Sequence, residues 1–143
     1  MMSHLPIHTL LRRCFQAQRA AIGPCIAQEG LSPGQPKILS YLISHDGCLQ
    51  KELAANCDIE PATVSKVLSG MEESGLIRRQ CSCQDKRAVT VLITDKGRTA
   101  SACMRRHFAD LDNQQLQGFT EEEAEQFKDY LTRMYRNMTG KDL

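Results

Sequence analysis

Two thiols one residue apart, Cys81 and Cys83, lie in the stretch "RRQCSCQDKRAV" (residues 78–89), among Arg78, Arg79, Lys86 and Arg87. Thiol chemistry starts from the thiolate, and neighbouring cations favour that form, so the pair is a candidate redox site. Oxidation there would add bulk or negative charge to a basic segment, and a disulfide within Cys-x-Cys would be strained and easily reduced. The alternative is a basic loop that simply tolerates cysteine. A zinc site usually takes four ligands. His4, His8, His45 and His107 are remote in sequence and no further cysteine adjoins the pair, so no metal and no cofactor are assigned.

Other chemistry finds little support. The chain has no G-x-S-x-G, no P-loop, no H-E-x-x-H and no glycine-rich dinucleotide turn, so it does not read as an enzyme. Glu121, Glu122 and Glu123 are consecutive, so on a helix they face different ways and serve the helix N-terminus rather than an acid–base pair. The seven cysteines are an odd set without paired spacing, unlike a secreted disulfide scaffold. With 41% hydrophobic and 24% charged residues the 143-residue chain reads as one globular domain. No apolar run approaches a membrane span and no secretion signal is visible, so a cytoplasmic protein without membrane contact is expected. Net charge is only +1, yet Arg78, Arg79, Lys86, Arg87, Lys96 and Arg98 crowd residues 76–98 against Asp85 and Asp95. A basic segment on a nearly neutral protein points to a localised anionic partner.

The elements that must carry these residues follow from periodicity. A helix is expected from Ile7 to about Gln28, with Leu10, Leu11, Cys14, Phe15, Ala21 and Ile22 on its apolar face, kinked or interrupted at Gly23-Pro24 and stopped at Gly30. Ser32-Pro33-Gly34-Gln35 reads as a capping box opening a second helix to about Ser44, burying Ile38, Leu39, Leu42 and Ile43. After the turn His45-Asp46-Gly47, a short helix spans Leu49–Cys57. Pro61 then opens a longer helix to about Ser74, in which Val64, Val67, Leu68 and Met71 share one face. Past Gly75 the period changes to two: "LIRRQ" and "AVTVLIT" form a β-hairpin. Thr94 caps a helix from about Asp95 to Gln115, and Thr120 with Glu123 caps a final helix to about Met138.

A helix-turn-helix followed directly by a hairpin is a winged helix. The outer face of its second helix carries Ala62, Thr63, Ser65, Lys66 and Ser69, short polar groups with one lysine and one methyl. Such a helix fits the DNA major groove, and its N-terminus suits a phosphate. The same face would also suit an ordinary surface helix. The hairpin adds Arg87, within reach of the minor groove, with Asp85 placed to brace it.

At this point "GLSPGQPKILSYL", "LQKELAANCDIEPATVSKVLSGMEESGLIRR" and "DKRAVTVLITDKG" resemble the MarR family of bacterial transcription regulators over almost the whole chain. The D-x-R wing, Asp85 and Arg87, followed by a strand and T-x-x-G, is the most specific mark; Ile93-Thr94 stands where the family usually has Leu-Thr. The resemblance implies a homodimeric repressor on a palindromic site in double-stranded DNA, read by Pro61, Ala62, Thr63, Ser65 and Lys66 in the major groove and by the Asp85–Arg87 wing; beside these, the basic pair Arg78-Arg79 would serve phosphate binding. It also implies release by a small molecule, a metal or an oxidant. Peroxide-sensing members carry a reactive cysteine in the first helix, where Cys14 lies, although "RRCFQAQ" does not reproduce their surroundings and a buried core thiol is the competing reading. A ligand cleft between dimer helices and DNA-binding lobe would involve His8 and Arg12.

The expected architecture is therefore mainly α with a small β-hairpin: a single domain over 1–143, with a winged-helix lobe at about 32–97 and dimerisation helices at about 5–30 and 98–140. The first and last helices are apolar over more turns than one small core needs, which independently suggests a homodimer. Two other classes stay open, a winged helix that binds protein and a thiol-based redox sensor. The operator, the regulated genes and the inducer are not legible.

Overall fold

The computed structural model describes residues 4–81, 84 and 87–143. Cys83, Asp85 and Lys86 lie outside the described residues. The chain divides into two compact units, residues 1–108 and 109–143.

In the first unit, helix α1 (Ile7–Gln28) ends in a Schellman motif. Leu31 N–H donates to Ile26 O and Gly30 N–H to Ala27 O, both at 3.0 Å, with Gly30 at φ 71°. Glycine takes that left-handed conformation without the steric penalty a Cβ brings. The expected interruption at Gly23-Pro24 does not occur, since α1 runs unbroken through both. The proline removes one N–H, which would have paired with Ala20, an exposed residue. Ile22 and Ile26 on either side are buried and hold the helix to the core.

Helix α2 (Gln35–Ser44) starts later than the capping box implied, because Pro33 and Gly34 form a turn with Gly34 at φ 89°. Half of the box survives: Ser32 N–H donates to Gln35 Oε1 at 3.1 Å, while Gln35 N–H donates to the Ser32 backbone O at 3.1 Å. Ile38, Leu39 and Leu42 are fully buried; Ile43, expected with them, is half-buried. The next element corrects the hairpin. Cys48–Leu49 form a short strand, β1, before helix α3 (Gln50–Asn56). β1 pairs antiparallel with β3 (Val89–Ile93), which pairs antiparallel with β2 (Ile77–Cys81), giving a three-stranded sheet in the order β1-β3-β2.

Between α3 and helix α4 (Pro61–Glu73), Asp58 adopts φ 51°, and Ile59 N–H closes the turn onto Ala54 O at 2.9 Å. Aspartate is among the few side chains that tolerate this conformation. Val64, Leu68 and Met71 of α4 are buried, as are Leu53 of α3 and Ile77 of β2, while Val67 is half-buried. Each fully buried Leu or Met side chain contributes about 1.5–3 kcal/mol relative to exposure. A second Schellman turn at Gly75 (φ 76°) directs the chain into β2, with Leu76 N–H on Met71 O at 2.9 Å.

Thr94 caps helix α5 (Asp95–Gln115) as expected, its Oγ1 accepting from Gly97 N–H at 3.1 Å. Asp46 fastens this junction from a distance. Its Oδ1 accepts from Ile93 N–H and its Oδ2 from Arg98 Nη2, both at 2.9 Å. His107 of α5 meets Glu29 at the end of α1, 3.2 Å apart.

The second unit holds the last residues of α5 and helix α6 (Glu121–Thr139). The Thr120/Glu123 capping box is complete, with bonds of 2.8 and 3.1 Å. Phe119 and Phe127 lie 6.0 Å apart at 58°. No residue of α6 is buried, and Phe127, Tyr130, Leu131 and Met138 are exposed. Among the described residues no helix is long and apolar enough to cross a membrane.

Candidate nucleic-acid interface

Helix α4 buries Val64 and Leu68 and thereby turns Pro61, Ala62, Thr63, Ser65 and Lys66 outward; all five are exposed. Pro61 at the first helical position gives up an N–H that no helix could pair. Thr63 and Val64 N–H groups donate to Glu60 O at 2.9 and 3.0 Å. The helix thus presents its N-terminal turn and two hydroxyls with a cation and no carboxylate on those five positions, a surface suited to phosphates and base edges.

The wing lies on the same unit. In β2 the two-residue alternation buries Ile77, exposes Arg78 and returns Arg79 to the side of Ile77. The adjacent arginines therefore do different work. Arg78 is exposed, opposite Leu92 in the register. Arg79, expected to join it as a phosphate contact, is instead turned onto α4. Its Nη2 donates to Ser69 Oγ at 2.8 Å and lies 3.4 Å from Glu72 Oε1, and its backbone N–H donates to Glu72 Oε2 at 2.9 Å. Arg87 is exposed on the far side of the hairpin tip. Its expected brace, Asp85, falls outside the described residues, as does Cys83, so the proposed thiol pair is represented only by Cys81, exposed at the end of β2.

Arg87 also lines a cavity of about 610 Å³ together with Leu49, Gln50, Lys51, Ile59 and Pro61. Gln50 Oε1 is buried without a hydrogen-bond partner among the described residues. The cavity is one that sequence periodicity does not reveal, because it forms only where β1, α3 and β3 converge. His8 and Arg12, the expected ligand residues, are exposed on α1, Arg12 donating to Gln16 at 3.3 Å; neither lines this cavity. Among the described residues no group of three potential metal ligands exists.

The remaining thiols separate by environment. Cys14, read as a core thiol, is exposed, because the buried side of α1 is set by Ile22 and Ile26. Burial pushes the Cys57 thiol up, with Lys37 opposing the rise, and its Sγ donates to Lys37 O at 3.9 Å. Cys48 is raised by the same desolvation, reinforced by Glu52.

Residues 31–89 match the family profile described as MarR family. The chain is 25% identical over 91 residues to the HTH-type transcriptional repressor MdtR of Bacillus subtilis, covering 64% of this chain and 59% of that protein. It is 34% identical over 74 residues to a putative transcriptional regulatory protein for the hcr operon of Thauera aromatica, covering 52% of this chain and 45% of that one. The alignments thus span roughly half of these two relatives. Among solved structures, the S. aureus MepR–DNA complex superposes with a TM-score of 0.86 at 25% identity, covering 94% of this chain and 99% of that one. The two relatives are named as a transcriptional repressor and a putative transcriptional regulatory protein. Profile, relatives and fold converge on the lobe that carries α4 and the wing, and residues 31–89 of that lobe are the part of the chain that matches the MarR family.

Proposed function

We propose that the protein is a homodimeric, sequence-specific regulator that binds double-stranded DNA and acts as a repressor on a palindromic operator. The observation that carries this reading is the exposed α4 face at Pro61–Lys66 beside a wing whose Arg78 and Arg87 are also exposed. Helix α4 enters the major groove with Ala62, Thr63, Ser65 and Lys66 toward base edges and phosphates. Arg87 enters the adjacent minor groove, with Asp85 as its brace, and Arg78 lies along the backbone.

The dimer reading rests on apolar side chains left uncovered at the two ends of the chain. Leu5, Ile7 and Phe15 are exposed in and beside α1, and Phe127, Tyr130, Leu131 and Met138 in α6. Pairing helices 5–30 and 98–140 of two copies buries them and sets two recognition helices about 34 Å apart, one DNA turn. The cavity beside Arg87 supports release by a small ligand, since an occupant there would contact the wing that DNA needs. MdtR is named a repressor, which is the support for that sign of regulation.

Hydroxyl-radical footprinting on the region upstream of the protein's own gene tests the reading. The expected pattern is two protected patches one helical turn apart on one face of the duplex, each flanked by minor-groove protection. Uniform cleavage at saturating protein contradicts it and favours a winged helix that binds another protein.

A further inference from the structure

Resting on the DNA-binding reading, we infer that Arg79 is a positioning residue: with Glu72 and Ser69 it clasps the wing strand to the recognition helix and so sets the spacing between the major-groove and minor-groove contacts. Arg79 has one of the least exposed basic side chains in the ion pairs of the lobe, 20% against 45% for Arg98. Among the described residues the partners of its side chain belong to α4. Glu72 accepts from the Arg79 backbone N–H through Oε2 at 2.9 Å and faces the guanidinium through Oε1 at 3.4 Å. Ser69 Oγ accepts from Arg79 Nη2 at 2.8 Å and itself donates to Ser65 O at 2.9 Å.

This chain of bonds runs from β2 into the exposed turn of α4 that holds Ser65 and Lys66. A planar guanidinium satisfies both acceptors at once, which a lysine ammonium on a flexible stem does less well. The clasp also removes a charge from the DNA-facing surface. Glu72 neutralises Arg79, so the cations offered to phosphates are Arg78, Arg87 and Lys66, while Arg79 supplies geometry. A displaced wing would still leave electrostatic attraction to any duplex, and what is lost first is discrimination between sequences.

The test is a salt series of fluorescence-anisotropy titrations on a duplex from upstream of the protein's own gene and on a scrambled duplex. The proteins compared are the native chain, Glu72→Gln, and Glu72→Gln combined with Arg79→Ala. Glutamine keeps an acceptor for the Arg79 N–H and removes the charge that holds the guanidinium. Glu72→Gln is expected to steepen the slope of log K against log salt by about 0.9 per protomer, one additional phosphate contact. The preference for the native duplex should fall by roughly threefold or more. Adding Arg79→Ala should abolish the steepening. A merely structural loss makes the slope shallower or leaves it unchanged, so either result in a Glu72→Gln protein with native circular dichroism overturns the inference. Arg79→Lys provides the second variant: it should retain the fold and lose discrimination, and native discrimination in it would also overturn the clasp. Should the native chain fail to prefer its own duplex, the DNA-binding reading fails first and the clasp with it.

Discussion

Gly97→Ala is the substitution whose consequence the structure specifies most closely. A Cβ at residue 97 would sit 2.3 Å from Leu76 O and 2.8 Å from Ile93 Cγ1. The first obstacle is backbone, held in place because Leu76 O accepts from Thr94 N–H at 3.1 Å while Leu76 N–H donates to Met71 O at 2.9 Å. Around the same point Thr94 Oγ1 donates to Gly75 O and Lys96 Nζ to Ser74 O, both at 2.6 Å. The first turn of α5 therefore crosses the α4–β2 turn at a distance only glycine permits. This is the physical content of the T-x-x-G signature at Thr94–Gly97. Forcing a methyl into such packing costs about 1–3 kcal/mol, and displacing the Thr94–Leu76 bond costs about 1 kcal/mol more. Alanine returns about 1 kcal/mol through its better helix propensity. The net expectation is a loss of about 1–3 kcal/mol. At roughly 2–4 °C per kcal/mol for a chain of this size, the midpoint falls by about 2–12 °C. Thermal melts by circular dichroism read this directly, and urea melts check that the transition stays cooperative. A variant as stable as the native protein, or more so, would refute the close-crossing argument.

Three further outcomes follow from the same structure. Asp46→Ala removes the acceptor for both Ile93 N–H and Arg98 and should lower stability by about 1–3 kcal/mol in urea melts; an unchanged midpoint contradicts its role as the fastener of the β3–α5 junction. Alkylation followed by mass spectrometry should label Cys14 and Cys81 rapidly in the native protein and Cys57 only on unfolding, because burial raises its thiol and keeps it protonated. By linkage, a thiol whose folded pKa exceeds its unfolded value lends stability that is full below the unfolded value and lost as pH rises through the folded one. Stability should therefore decline above roughly pH 9, and Cys57→Ala should flatten that decline. Leu131→Asp on the uncovered side of α6 should shift the sedimentation coefficient to that of a monomer; an unchanged dimer places the contact elsewhere.

Much of this arrangement is written locally. The i, i+3, i+4, i+7 spacing of Val64 to Met71 places the outer face of α4, and Gly30 and Gly75 mark helix ends because a left-handed residue is needed there. The Thr120/Glu123 box fixes the start of α6 within a single turn. Features that depend on distant partners are not legible in this way. β1 is two residues long, too short to show alternation, and exists because Cys48 and Leu49 find Val91 and Thr90 across the chain. Asp46 looks like any turn residue until it meets Ile93 and Arg98. Pro24 reads as a breaker because sequence does not show which carbonyl faces water. Arg78 and Arg79 look alike as a basic pair, yet the period of two beginning at buried Ile77 already assigns them to opposite sides of β2. That signal was available, and the acceptor waiting on α4 was not.

Anisotropy titration of the reduced native protein and of Arg87→Ala, against the duplex upstream of its own gene and a scrambled duplex, tests the account most directly. The native chain should bind its own duplex far more tightly than the scrambled one, with log K falling linearly in log salt. Arg87→Ala should bind several-fold more weakly while remaining a dimer. Equal affinity of the native chain for both duplexes, a flat salt response, or an Arg87→Ala protein with unchanged affinity would contradict it.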